Sequence, residues 1–206
     1  MKNKNVGVFF GQTTTLARLC ALTDGVYAIV ITLLVLDLQA PVAPGLTNVQ
    51  LLDDLQKQIP NFITYLATFS VVAVFWMRNH WILEPLEKCN AKTFWLNFIH
   101  LMFVSITPYT ASLIGHYEND PIAVILFSGS LGLASLSLLV LHRYVANKTE
   151  WHHEGISRQW THPNWWMLYP GSLFALVSIL LSVLTVNGAV AIWFLGPLWV
   201  LLFRRR

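Results

Sequence analysis

"LTDGVYAIVITLLVLDL", residues 22–38, is an apolar run with one carboxylate, Asp24, set into its front end. Extended to about residues 19–39, it has the roughly 20 mostly apolar residues that carry a helix across about 30 Å of hydrocarbon. Five more stretches qualify or nearly so: about 60–83, 94–114, 122–142, 165–186 and 188–203. The last is short, but Arg204, Arg205 and Arg206 follow it and can snorkel to the headgroups. Only Asn187-Gly188, a tight-turn pair, separates it from the stretch before. The whole chain agrees with this reading, since 11% of its residues are charged, against roughly 25% in ordinary soluble domains. A mean hydropathy of +0.56 also counts against the competing reading, a soluble bundle with an apolar core. The expectation is one all-α, polytopic membrane domain over residues 1–206, with six transmembrane helices.

The basic residues orient it. With both termini in the cytoplasm, the inner loops and helix ends hold Lys2, Lys4, Arg18, Arg78, Lys88, Lys92, Arg143, Lys148, Arg158 and the three final arginines. The outside then holds Lys57 alone of the 13 lysines and arginines. A multi-pass protein of the cell membrane, in contact with lipid, follows. The same inside-positive loops account for the pI near 9.0, so no nucleic-acid partner is implied. "MKNKNVGVFFGQTTT" (1–15) has neither the apolar core nor the small-residue cleavage site of a signal peptide and reads as a cytoplasmic arm. Cys20 and Cys89 fall on the cytoplasmic side, where a structural disulfide is not expected. In the loop 40–59, after Pro41, Pro44 and Gly45, Leu51, Leu52 and Leu55 can make a short amphipathic helix on the outer surface.

Ionisable residues at membrane depth are functional candidates. At 100° per residue Leu22, Val26, Ile29, Leu33 and Leu36 share one narrow stripe, and Asp24 points well away from it. Partners at similar depth are Arg18 on the same helix, Trp76 and His80 four apart on the second helix, and Asn97 and His100 on the third. With Thr23, such a cluster serves either as a proton relay or as a hydrogen-bonded clasp between helices. The position of Asp24 off the stripe favours a clasp, in which it pairs with Arg18 or His80. "WHHE" (151–154) with His162 has metal-ligating residue types but matches no ligand spacing, so no metal or cofactor is expected. Trp151, Trp160, Trp165 and Trp166 read as an aromatic interface belt. Pro108 and Pro170 should kink their helices, with Ser105, Thr107 or Ser172 meeting the freed backbone groups. "SGSLGLASLS" (128–137) suits close helix packing.

The stretch "RLCALTDGVYAIVITLLVLDL" (18–38) resembles the Arg-x-x-x-Phe-Ser-Asp-Gly-Val-Phe-Ala-Ile signature of the transmembrane protein 175 family. "FWMRNHWIL" (75–83) and "NFIHLMFVSITPYTASLIG" (97–115) extend the resemblance over about half the chain. Leu22, Thr23 and Tyr27 depart from the family's Phe, Ser and Phe; Thr23 keeps the hydroxyl and Tyr27 the ring. The resemblance implies a potassium channel, not an enzyme, assembled as a homotetramer around a pore lined by the first helix. Its constriction positions map onto Ile29, Leu33 and Leu36, three residues of the apolar stripe. At 1.5 Å per residue their rings would stand about 6 Å and about 4.5 Å apart, with Leu33 the narrowest. No Thr-Val-Gly-Tyr-Gly filter is present, so carbonyl-ring selectivity is not available, and branched apolar rings would gate by dewetting. Thr32, to one side of the stripe, can contribute a hydroxyl. The competing function is a proton-coupled transporter using Asp24 and His80, which would usually show inverted repeats or broken helices in corresponding positions. An intramembrane enzyme fits less well, because no nucleophile–base pair stands at membrane depth.

Overall fold

The computed structural model describes residues 12–41, 47–117, 120–148, 151 and 170–198. The elements are helical, beginning with α1 (Gln12–Leu33), which tightens into a 3₁₀ turn over Leu34–Asp37. Then come α2 (Asn48–Lys57), α3 (Ile59–Leu83), α4 (Ala91–Ser105), α5 (Thr107–His116) and α6 (Pro121–Ala146). After residues outside the description follow α7 (Pro170–Ser182), α8 (Val186–Ala191) and a second 3₁₀ turn, Ile192–Phe194.

Among the described residues four segments are long and apolar enough to cross a membrane: Leu16–Asp37, Ile59–Leu83, Ala91–His116 and Pro121–Ala146. They match the first four expected spans to within a few residues. Gly171–Ser182 and Gly188–Leu198 are apolar but shorter among the described residues. The expected turn at Asn187-Gly188 instead falls earlier, at Val183–Leu184. Thr185 explains the shift, because its Oγ1 accepts from the Gly188 N–H at 3.0 Å and so caps α8. His152, His153, Glu154, His162, Trp160, Trp165 and Trp166 lie outside the described residues.

Local chemistry accounts for the other boundaries. α2 starts at a capping box, with Thr47 Oγ1 accepting from the Gln50 N–H and the Gln50 side chain accepting from the Thr47 N–H. Asn90 caps α4 by accepting from the Thr93 N–H at 3.0 Å, and Asp120 caps α6 by accepting from the Ile122 N–H at 2.8 Å. The third span breaks at Ile106, two residues before Pro108, whose ring cannot donate and crowds the preceding turn. The Ser105 hydroxyl donates to the Met102 carbonyl at 2.9 Å and the Thr107 hydroxyl to that of Phe103 at 3.5 Å. These hydroxyls supply bonds beside the break, whereas Ser172 Oγ, the candidate near Pro170, is buried with no partner among the described residues.

α6 is the central post, packing on α4, α5 and most extensively on α7. Its small residues permit close approach: a Cβ added at Gly132 would stand 2.7 Å from that of Ala175. Ser128 links three elements, lying 2.7 Å from Ser178 Oγ and accepting from Trp193 Nε1 at 3.1 Å. α1 packs on α3 and α4 at the side of this assembly.

Candidate functional site

α1 has two unlike faces. Leu16, Leu19, Thr23, Tyr27, Val30 and Leu34 are buried against the rest of the chain. The other face holds Ile29, Leu33 and Leu36 at 59%, 42% and 68% exposure, so all three stand uncovered in the single chain. Thr32 joins them on this face, its hydroxyl turned back to the Ala28 and Ile29 carbonyls at 3.0 and 2.8 Å. Leu36 lies in the 3₁₀ turn, which has consequences for register. At about 2.0 Å per residue, Leu33 and Leu36 stand about 6 Å apart along the axis, not the 4.5 Å of an α-helix. Three residues per turn also align their side chains more closely.

The buried face of α1 is held by a chain of polar side chains. Asn79 Nδ2 on α3 donates to Asn97 Oδ1 on α4 at 2.8 Å, and Asn97 Nδ2 donates to Thr23 Oγ1 at 2.8 Å. The Thr23 hydroxyl then donates to the Leu19 carbonyl at 2.8 Å. One turn further along α1, Tyr27 Oη meets His100 Nε2 at 2.6 Å. His100 Nδ1 is 3.0 Å from the Ala134 carbonyl and 3.1 Å from Ser137 Oγ. A carbonyl can only accept, so Nδ1 carries the proton, Nε2 is bare and the Tyr27 hydroxyl donates to it. Thr23, Tyr27, Asn79, Asn97 and His100 are all almost fully buried. This arrangement stores no reactive nucleophile; it ties α1 to α3, α4 and α6 and fixes which face points out.

Asp24 is not part of this chain. It lies on the exposed flank of α1, where its Oδ1 accepts from Trp76 Nε1 at 2.8 Å. The expected pairing with Arg18 or His80 is therefore corrected. Arg18 is exposed, and among the described residues no carboxylate lies within 4.0 Å of it. His80 faces Glu84, the residue that follows α3, Nε2 to Oε2 3.4 Å, and its ring stacks on Trp76 at 5.9 Å. Helix spacing explains this: i and i+4 place both Trp76 and Glu84 beside His80, and the indole then stands between His80 and Asp24. The expected cluster is thus two arrangements, a buried ladder through Thr23 and Asn97 and a surface contact of Asp24 with Trp76.

Sequence reasoning named Thr23, Asn97 and His100 but passed over Asn79, an amide inside an apolar span and a signal in its own right. At the far end of α1, Asp37 approaches His116 Nδ1 at 3.9 Å. Among the described residues no group of three or more His, Cys, Asp or Glu side chains is placed to hold a metal.

Residues 18–108 match the family described as endosomal/lysosomal potassium channel TMEM175. A potassium channel of Chryseobacterium sp. (strain P1-3) is 32% identical over 111 residues, covering 53% of this chain and 55% of that protein. A potassium channel of Chamaesiphon minutus is 30% identical over 126 residues, covering 61% of this chain and 62% of that one. The matched stretch therefore spans little more than half of these relatives. The crystal structure of a lysosomal potassium-selective channel TMEM175 homolog from Chamaesiphon minutus has the same fold. It aligns with a TM-score of 0.74 over 94% of this chain and 100% of that one, at 24% identity.

Proposed function

We propose that the chain, whose residues 18–108 match the TMEM175 family, is a channel of that family and not an enzyme, a potassium-permeable channel of the cell membrane. In this reading four copies, each a single six-helix membrane domain with both termini in the cytoplasm, surround one pore. α1 of each copy lines it, and no cofactor is called for.

One observation carries the reading. Ile29, Leu33 and Leu36 form an apolar line along α1 that the single chain leaves exposed, on a different face from the one held by the buried ladder. Four such lines meeting on an axis make successive rings of branched side chains. Leu and Ile offer no oxygen to a dehydrating ion, so a tight ring expels water and sets the barrier to conduction. The proton-coupled alternative is disfavoured by the Trp76 indole, which takes the Asp24 hydrogen bond and covers the His80 ring.

Purified full-length protein in planar bilayers tests the reading. Under a potassium gradient with sodium opposite, single-channel currents should reverse on the potassium side of zero. Absence of current at confirmed oligomer insertion, or turnover-limited flux coupled to a proton gradient, would remove the channel reading.

A further inference from the structure

Arg78 is the most unusual residue in the described bundle. It sits on α3, inside the second span, at 4% exposure. Among the described residues no carboxylate comes within 4.0 Å of its guanidinium, and its Nε–H has no partner. The acid nearest along α3, Glu84, is taken by His80. A buried cation without a counter-charge is costly, and such arginines are retained where an anion meets them.

The surroundings indicate the kind of anion. Arg78 lines a half-open cleft whose other walls are apolar: Val71 and Val74 from α3, Phe174 from α7, and Trp193 and Pro197 beyond. Gly171 closes the cleft beside the guanidinium. A Cβ there would stand 2.5 Å from Ser135 Oγ and at ordinary contact distance, 3.9 Å, from Arg78 Nη1, so glycine leaves the serine hydroxyl its room. Ser135 Oγ is buried with no partner of its own. The unmet group that lines the cleft is thus a donor-only fork, which suits oxyanion oxygens.

Depth points to the source. α3 has 25 residues and is about 37 Å long, several Å more than the roughly 30 Å hydrocarbon layer. Arg78 is five residues, or about 7.5 Å, from its end at Leu83. That places the guanidinium just below the hydrocarbon boundary, within reach of lipid phosphates, at the end of α3 where basic residues accumulate.

We propose that the Arg78 cleft is a binding site for the phosphate group of an anionic phospholipid, with the guanidinium on the phosphate oxygens and acyl carbon against Val71, Val74 and Phe174. Basic pockets between membrane helices recognise lipid headgroups by this combination of charge and apolar wall. The site is separate from the exposed face of α1 and does not depend on the channel reading.

The test is thermal unfolding of the delipidated full-length protein in detergent. The additions are dioctanoyl phosphatidylglycerol, dioctanoylglycerol (the same chains without phosphate) or sodium phosphate. Phosphatidylglycerol should raise the midpoint by several degrees, and dioctanoylglycerol should not. R78Q should lose most of that rise, and R78K should keep part of it as a point charge. Val74→Trp, which fills the cleft and leaves the charge in place, should also lose it; this variant decides the matter if R78Q does not fold. An equal rise with sodium phosphate alone would overturn the lipid assignment and make free phosphate the ligand. No rise in the unmodified protein, or the same rise in R78Q and Val74→Trp, would overturn the site.

Discussion

Replacing Asn97 with Leu removes the middle of the buried ladder while keeping the same branched heavy-atom skeleton. Asn97 makes two bonds of 2.8 Å, accepting from Asn79 and donating to Thr23, and it is fully buried. In the variant the Thr23 hydroxyl keeps its bond to the Leu19 carbonyl and loses only an acceptor role. Asn79 fares worse. Its Oδ1 already has no partner, and its Nδ2 would lose its bond to Asn97. A buried donor left unmet costs about 1–3 kcal/mol, and interhelical bonds in lipid have measured about 0.6 kcal/mol on average. The expected loss is therefore about 1–2 kcal/mol, read from reversible unfolding in mixed detergent. Asn79→Leu removes the other partner, and the double variant should cost less than the sum of the singles by about 1 kcal/mol, because no orphaned amide remains. Strict additivity, or an Asn97→Leu variant within about 0.3 kcal/mol of the parent, would refute the ladder.

Tyr27→Phe removes the donor to His100 Nε2 and should cost about 1–2 kcal/mol in the same assay, whereas no change would mean that the tyrosine hydroxyl is not part of the clasp. Gly132→Ala forces a methyl to 2.7 Å from Ala175, so it should destabilise the α6–α7 contact by about 1–3 kcal/mol; Gly129→Ala, with nothing within 4 Å, should be neutral or better on the same unfolding curve. Burial pushes the Cys89 thiol above its ordinary value, so less thiolate is present near neutral pH. Its alkylation in the folded protein should be slower than in the denatured chain and keep rising as pH passes the ordinary thiol value, as a timed labelling series by mass spectrometry would show.

The four long spans were legible because each holds about 20 apolar residues with few charges, and Pro108 announced the break in the third. The exposed line on α1 was legible too, since 100° spacing alone gathers Ile29, Leu33 and Leu36. Partner choice was not. Asp24, Arg18 and His80 share a depth, but which of them meet depends on how α3 is rotated beside α1, and hydropathy carries no such angle. That rotation turns Asn79 and Arg78 inward and Trp76 toward Asp24. Arg78 entered the sequence reading only as one positive charge in the count that set orientation. The 3₁₀ ending of α1 was also hidden, because Leu34–Asp37 has no residue that distinguishes a tighter turn from another turn of α-helix.

The central claim is that the exposed apolar line of α1 bounds the conduction path, with Leu33 at its narrowest ring. It is tested most directly by single-channel conductance of Leu33→Ala and Ile29→Ala beside Val35→Ala, at matched oligomer yield. Val35 is exposed at 47% but lies off the line, so it controls for lost side-chain volume. The account predicts a conductance raised in Leu33→Ala, raised less in Ile29→Ala and unchanged in Val35→Ala. Unchanged conductance in both the Leu33 and Ile29 variants would contradict it and place the permeation path elsewhere.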